Sequence, residues 1–274
     1  MVTSKGFTTL AAAATGLLGL AGMAQNASAA VIYSDNFVQP NGTQLNGQTV
    51  QTSNGIAGGT SGAQWTACTT QTDGPATTTG SGAYIPGHEA IFLPFAAQAG
   101  YVYTLTATLD PTSTDWVSLG FADGSYTGGN GNNIWQSTGT GNTDNNPVSW
   151  ALDRAGTNGG QPQFFGGPGT NADIAFGAST DSGLQTFVIT LNTTGTEWTS
   201  SAYVTGDPSL TASYTYTSGN PTITTVGFGT DNTQGIVSAF SLDVASVAVP
   251  EPATLSMLAI VGLGLLLGKR RKTA

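Results

Sequence analysis

Apolar and polar residues alternate along much of this chain. From Tyr101 to Leu109, Tyr101, Tyr103, Leu105, Ala107 and Leu109 share one parity, and Val102, Thr104, Thr106 and Thr108 the other. A strand turns successive side chains to opposite faces, so this spacing predicts a strand with one apolar and one hydroxyl-bearing face. Phe187, Ile189 and Leu191 alternate with Val188 and Thr190. Ile236, Ser238, Phe240, Leu242 and Val244 alternate with Val237, Ala239, Ser241 and Asp243. Threonine suits the solvent side of a strand because it is β-branched and polar. Between residues 30 and 248 no stretch sustains the 3.6-residue period of an amphipathic helix.

Turn-forming clusters interrupt these runs: Pro40-Asn41-Gly42, Asp73-Gly74-Pro75, Asp110-Pro111, Thr157-Asn158-Gly159-Gly160, Thr193-Thr194-Gly195, Gly206-Asp207-Pro208 and Ser218-Gly219-Asn220-Pro221. Strands are expected near 31–37, 45–51, 63–69, 82–85, 89–95, 100–109, 115–122, 133–136, 147–153, 161–166, 184–192, 196–205, 211–217, 222–229 and 236–247. Strands broken this often predict an all-β fold, a two-sheet antiparallel jelly-roll sandwich. The longest irregular stretch, Asp123 to Asn146, is rich in glycine and asparagine and flanks Ile134-Trp135.

The two ends follow other rules. Met1 to Ala29 reads as a secretory signal helix. Lys5 is its positive region, Leu10 to Met23 its apolar run and Ala27-Ser28-Ala29 its cleavage site. The predicted organisation is a signal peptide over 1–29, a β-sandwich over 30–248 and a sorting tail over 249–274. In the tail, Ala253 to Gly268 carries no charge over 16 residues. As one transmembrane helix it spans roughly 24 Å, a little less than the ~30 Å hydrocarbon core. Lys269, Arg270, Arg271 and Lys272 follow and stay on the cytoplasmic side, so the sandwich lies across the membrane.

Charge sharpens the picture. Of six Lys and Arg residues only Arg154 lies within 30–248, against fourteen acids, a net charge of −13. No basic patch is left to displace counterions, so nucleic acid is excluded as a partner. One cysteine, Cys68, allows no intrachain disulfide, and one cysteine with one histidine, His88, excludes a Cys/His zinc site.

Pro250-Glu251-Pro252, the apolar run from Leu255 to Gly268 and the basic end Lys269 to Lys272 together resemble the PEP-CTERM sorting signal. An ordinary tail anchor needs the helix and the basic end but not the Pro-Glu-Pro. The resemblance implies a bacterial protein, processed by an exosortase and exported to the envelope, outer surface or exopolysaccharide matrix. A second resemblance covers most of the body. Asp35-Asn36-Phe37, Asn41 to Gly47, Trp65, Leu93-Pro94-Phe95, Trp116 to Phe121, Trp150-Ala151-Leu152-Asp153-Arg154 and Val226 to Gly229 look like concanavalin A-like (laminin G-like) jelly rolls. That fold hosts lectins, glycanases and structural modules alike.

Candidate chemistry is sparse. Glycoside hydrolysis needs two carboxylates roughly 5–10 Å apart. Jelly-roll glucanases carry a Glu-x-Asp-x-x-Glu strand, whereas Glu89 and Glu197 have no acid at i+2 or i+3. Calcium wants hard oxygens, and Asp35 on the first strand and Asp243 on the last would meet if the terminal strands pair. Sugar binding uses aromatic faces and polar side chains; Trp135 and Tyr126 in the long polar loop are candidates, with Arg154. The other tryptophans are expected in the core, and Arg154 is also expected to pair with an acid across a strand. The sequence thus predicts a non-catalytic carbohydrate-binding or matrix module, possible partners being an exosortase and an exopolysaccharide. The alternatives are a glycanase with an atypical acid pair and a purely structural matrix protein.

Overall fold

Alternating strands need cover for their apolar face, and this chain supplies it by laying one antiparallel sheet over another. The computed structural model describes residues 29–67, 74–87, 89–112, 116–123, 146–154, 162–166, 174–175, 184–231 and 234–246. The expected signal helix, tail helix and strand at 133–136 lie outside these residues.

The strands are β1 (Ala30–Asp35), β2 (Thr52–Ser53), β3 (Thr66–Ala67), β4 (Thr77–Thr78), β5 (Ala83–Ile85), β6 (Ala90–Pro94), β7 (Tyr101–Pro111) and β8 (Trp116–Asp123). They continue with β9 (Asn146–Arg154), β10 (Gln163–Phe165), β11 (Ile174–Ala175), β12 (Gln185–Asn192), β13 (Thr199–Val204), β14 (Asp207–Thr215), β15 (Thr225–Asp231) and β16 (Gly235–Ser246). A nine-stranded sheet runs β14-β13-β12-β7-β16-β1-β2, with β5 joined to β16 and β4 to β5. A seven-stranded sheet runs β11-β10-β9-β8-β15-β6-β3. Every described pairing is antiparallel.

The core lies between the sheets. Leu105, Leu109, Ile189 and Leu242 come from one side, and Leu93, Leu119, Phe121 and Phe228 from the other, all without solvent exposure. The alternation read for β7 holds through its length, from buried Tyr103 to buried Leu109.

Three local expectations are corrected. Residues 45–51 are not a strand; Gly42 and Gly47 sit at positive φ, and only isolated bridges at Gln44 and Thr49 remain. The turn expected at Gly206-Asp207-Pro208 is tighter than read: Thr205 and Gly206 turn the chain, and β14 starts at Asp207 rather than at 211. β14 is an edge strand, where the missing proline N–H need not break a ladder. In β16 one parity does not run through. The register slips between Ser238 and Ser241, and Ala239 takes a φ of 51°, so Val237 and Phe240 both face the core. One bulged residue shifts every later side chain to the other face.

Polar ties cross the core. Trp65 Nε1 donates to Asp35 Oδ2 at 2.8 Å, and the Phe37 amide donates to Asp35 Oδ1 at 2.8 Å. Trp65 lies just before β3 of one sheet, and Asp35 ends β1 of the other. Around this bond Trp65 packs on Phe228 and Phe240, each at 5.1 Å between ring centroids. Tyr33 Oη donates to the Pro94 carbonyl at 2.5 Å and accepts from the Thr60 amide at 2.6 Å. Tyr216 Oη donates to the Val148 carbonyl at 3.0 Å, and the Ser149 and Ser200 hydroxyls bond to each other.

Asp35→Ala leaves an indole N–H and a backbone N–H without their acceptor in the core. It is expected to lower unfolding free energy by roughly 2–4 kcal/mol in urea titration followed by tryptophan fluorescence. A loss under about 0.5 kcal/mol, the usual range for a surface substitution, would contradict this role.

Candidate outer-face site

The segment Trp150-Ala151-Leu152-Asp153-Arg154 sets the site by alternation alone. Ala151 belongs to the core between the sheets, and Trp150 and Leu152 belong to a separate apolar cluster. Trp150, Leu152 and Arg154 therefore share the outer face of the seven-stranded sheet, while Asp153 turns inward. Register extends this face sideways. On β8, Trp116 stands opposite Arg154 and Gly120 opposite Trp150. On β10, Gln163 stands opposite Leu152 and Phe165 opposite Trp150.

The apolar part of the face is well packed. Trp150 and Phe165 stack at 4.0 Å with an interplanar angle of 10°, and Trp116 meets Trp150 at 6.1 Å and 50°. Ala90, Phe92, Ala122 and Leu152 complete the cluster. Gly120 allows the close approach of β8 and β9. A Cβ there would lie 2.4 Å from Trp150 Cβ and 2.5 Å from the Ser149 carbonyl oxygen.

The polar part is unsatisfied. Trp150 Nε1, Arg154 Nε and Gln163 Oε1 are buried atoms without a hydrogen-bond partner. That makes two donors and one acceptor on one face, beside stacked aromatic rings. Arg154 and Gln163 keep partial solvent exposure, so the polar rim is open while the aromatic base is buried. No ion pair joins Arg154 to another described residue. No described residue supplies the acid expected across the strand: the neighbour on β8 is Trp116, and Asp153 faces the other way.

Asp153 is fully buried opposite Val117, with neither carboxylate oxygen in a hydrogen bond of normal geometry. Burial pushes its carboxyl up to about 8; the nearby Arg154 backbone amide opposes the shift, and the charge of Asp110 adds to it. Burial likewise raises the Tyr103 phenol to about 12 and the Tyr33 and Tyr216 phenols above their ordinary value.

The other expected site residues are placed as follows. The first and last strands do pair, but Asp35 and Asp243 do not meet. Asp35 pairs with Phe240 on the core side and is held by Trp65 and Phe37. Asp243 pairs with Val31 on the outer side and accepts from Ser241 Oγ at 3.1 Å. Among the described residues no group of three or more His, Cys, Asp or Glu side chains could hold a metal ion. Tyr126, Trp135, Cys68, His88 and the tail residues Pro250, Glu251, Pro252 and Lys269 to Lys272 lie outside the described residues. Sequence reasoning placed Trp116 and Trp150 in the core and passed over Phe165 and Gln163. The signal was the two-residue spacing that links Trp150, Leu152 and Arg154.

Residues 248–272 match the PEP-CTERM protein-sorting motif. The chain carries a sorting signal for export to the cell envelope or surface. No curated protein matches it in sequence. Solved structures similar to it have concanavalin A-like jelly-roll folds. An endo-1,3-beta-glucanase from Streptomyces sioyaensis is 13% identical, with 80% of this chain and 97% of that one covered and a TM-score of 0.44. The Emp47p carbohydrate recognition domain is 13% identical over 78% and 97%, with a TM-score of 0.45. A lectin from Bauhinia forficata is 11% identical over 68% and 99%, with a TM-score of 0.45.

The raised Asp153 pKa makes stability pH-dependent. Between about 4 and 8 the unfolded carboxyl is ionised while the folded one keeps its proton. This group's contribution is therefore full below about 4, falls by up to ~1.4 kcal/mol per pH unit as pH rises, and levels off above about 8. Thermal melts from pH 5 to 8 are expected to show this decline, and Asp153→Asn to flatten it. An unchanged slope in the variant would rule Asp153 out as its source.

Proposed function

We propose that this is an exported, non-catalytic carbohydrate-binding protein that acts at the envelope surface or in an exopolysaccharide matrix after exosortase processing. One observation carries the binding half of this reading. The outer face of the seven-stranded sheet joins the stacked rings of Trp150 and Phe165 to donors and an acceptor that the described protein does not satisfy. A sugar's hydroxyls, which donate and accept, are the complement of the half-exposed rim at Arg154 and Gln163, and the buried rings beneath hold that rim in place. The tail supports the other half, because the sorting motif implies exosortase processing.

The non-catalytic part is supported by where Asp153 and Glu89 lie among the described residues. A glycanase needs two carboxylates facing the sugar. Asp153, the acid nearest this face in sequence, opens between the sheets, and Glu89 is fully buried beside β6. The core position of Asp35 also favours binding without calcium, since both its oxygens already accept hydrogen bonds.

The full chain in detergent, applied to a glycan array, is expected to bind at least one polysaccharide, equally with and without chelator. Gln163→Ala and Arg154→Ala, which leave the buried aromatic stack intact, should each weaken that binding about tenfold without lowering the melting temperature by more than a few degrees. Absence of binding to every glycan, in both conditions, would end this reading.

The sorting half is tested separately. Replacing Pro250, Glu251 and Pro252 by alanine in the native host should leave the tail uncleaved and the protein in the membrane fraction. Mass spectrometry of the exported wild-type chain should find its C-terminus near residue 250. An exported wild-type chain that still ends at Ala274 would exclude processing.

A further inference from the structure

We propose that the end of the sandwich from which the tail leaves rests on the lipid bilayer while the tail is in place, with Val31 and Ile56 as its apolar contacts. The inference rests on the sorting half of the reading above and adds a contact surface to it.

Both chain ends leave the body at one place. β1 begins at Ala30, which stands opposite Val244, and Ser246 at the end of β16 stands opposite Tyr101. Six residues, 247–252, separate Ser246 from the uncharged run that starts at Ala253. Fully extended, that connection reaches about 25 Å, of which the headgroup layer takes up roughly 6 Å. The tail thus holds this end of the body within about 20 Å of the headgroups.

What this end presents suits that neighbour. The loop 54–62 and the turn 95–100 contain no charged residue, in a body with fourteen acids. Ile56 and Val31 keep 39% and 36% of their surface exposed. They are tied together, because Asn54 Nδ2 donates to the Val31 carbonyl at 2.8 Å. Half-exposed Tyr101 adds a ring with a hydroxyl, the kind of side chain that collects at membrane–water interfaces. Exposure alone does not carry the inference. Leu184 is more exposed, at 68%, but it precedes β12 at the opposite end, roughly 30 Å farther from the tail.

The loop that carries Ile56 is held stiffly. Tyr103 Oη donates to the Ala57 carbonyl at 3.0 Å, and the Thr60 amide donates to Tyr33 Oη at 2.6 Å. Gly58 packs so closely on Ala96 that a Cβ would fall 1.8 Å from its carbonyl oxygen. An isoleucine on a pinned loop loses little further freedom when it meets a bilayer. Two such side chains bind lipid only weakly by themselves. The contact therefore lasts while the tail keeps the body nearby and ends when processing releases it.

The test uses the full chain in vesicles of phosphatidylcholine and phosphatidylglycerol, with alkaline extraction to verify that the tail is inserted. In a Cys68→Ser background, Ile56→Cys or Leu184→Cys carries one polarity-sensitive dye. The dye at 56 is expected to shift to the blue and to be quenched by nitroxide-labelled lipid, and the dye at 184 to do neither. Should a variant not fold, hydrogen exchange reads the same contact in the unsubstituted chain. Amides of 54–62 should exchange more slowly in the vesicle-bound chain than in the exported, processed chain. With the tail inserted, equal quenching at both positions, or equal exchange in both forms, overturns the proposal and leaves the sorting reading standing. Shielding of 56 in native membranes that hold the processing enzyme, but not in pure lipid, also overturns it and gives the surface to a protein. A chain that alkaline extraction strips from the vesicles removes the membrane anchor, and this proposal with it.

Discussion

The bond between Asp35 and Trp65 joins the two sheets where the chain first enters the sandwich. With one cysteine in the whole sequence, no intrachain disulfide can do this. A carboxylate in the core is costly unless its oxygens are satisfied, and here both accept, one from an indole and one from the backbone. The bond also fixes the Trp65 ring among Phe37, Phe228 and Phe240, so polar and apolar cohesion act on one residue. Tyr33, Tyr216 and the Ser149–Ser200 pair repeat the device elsewhere: a hydroxyl from the nine-stranded sheet or its margin reaches a partner on the other sheet. Such bonds are directional, so they set how the sheets lie over each other as well as holding them together.

The candidate site depends on this arrangement through one strand. β9 shows its inner side to the core with Val148 and Ala151, and its outer side to the second cluster with Trp150 and Leu152. Two charged neighbours, Asp153 and Arg154, are thereby sent to opposite faces. Adjacent in sequence, they cannot meet through a pleated strand. Each residue then meets a different solution. Asp153 keeps a proton, because burial raises its pKa to about 8. Arg154 cannot lose its charge, and it sits at a partly exposed rim where its Nε meets no acceptor among the described residues.

Much of the sandwich was legible because period-two alternation survives single substitutions. The strands around Tyr101–Leu109, Phe187–Leu191 and Ile236–Val244 all form, and the terminal strands pair. What escaped depends on single residues and on register. The bulge at Ala239 carries no strong signal, since alanine is not a left-handed residue by preference, yet it reverses which side chains face inward. The site was half legible. Arg154 was singled out by its charge, but Trp150 and Trp116 were assigned to the core on size. Size predicts burial, and both are buried; it does not say on which side of a sheet. The calcium pairing failed for the same reason, because strand pairing brings two backbones together while parity decides whether side chains meet.

Parity also decides which chemical groups each face of the sheet presents. Whether a sheet can bind a glycan or cleave one rests on which alternate residues of a few strands face outward. On β9 the outward set is an indole, a leucine and a guanidinium, and the carboxylate is on the other side. Moving the acid by one position, to 154, would place a carboxylate at the half-exposed rim of the outer face, where it could ionise. The present order instead gives that face a net positive character inside a body of charge −13.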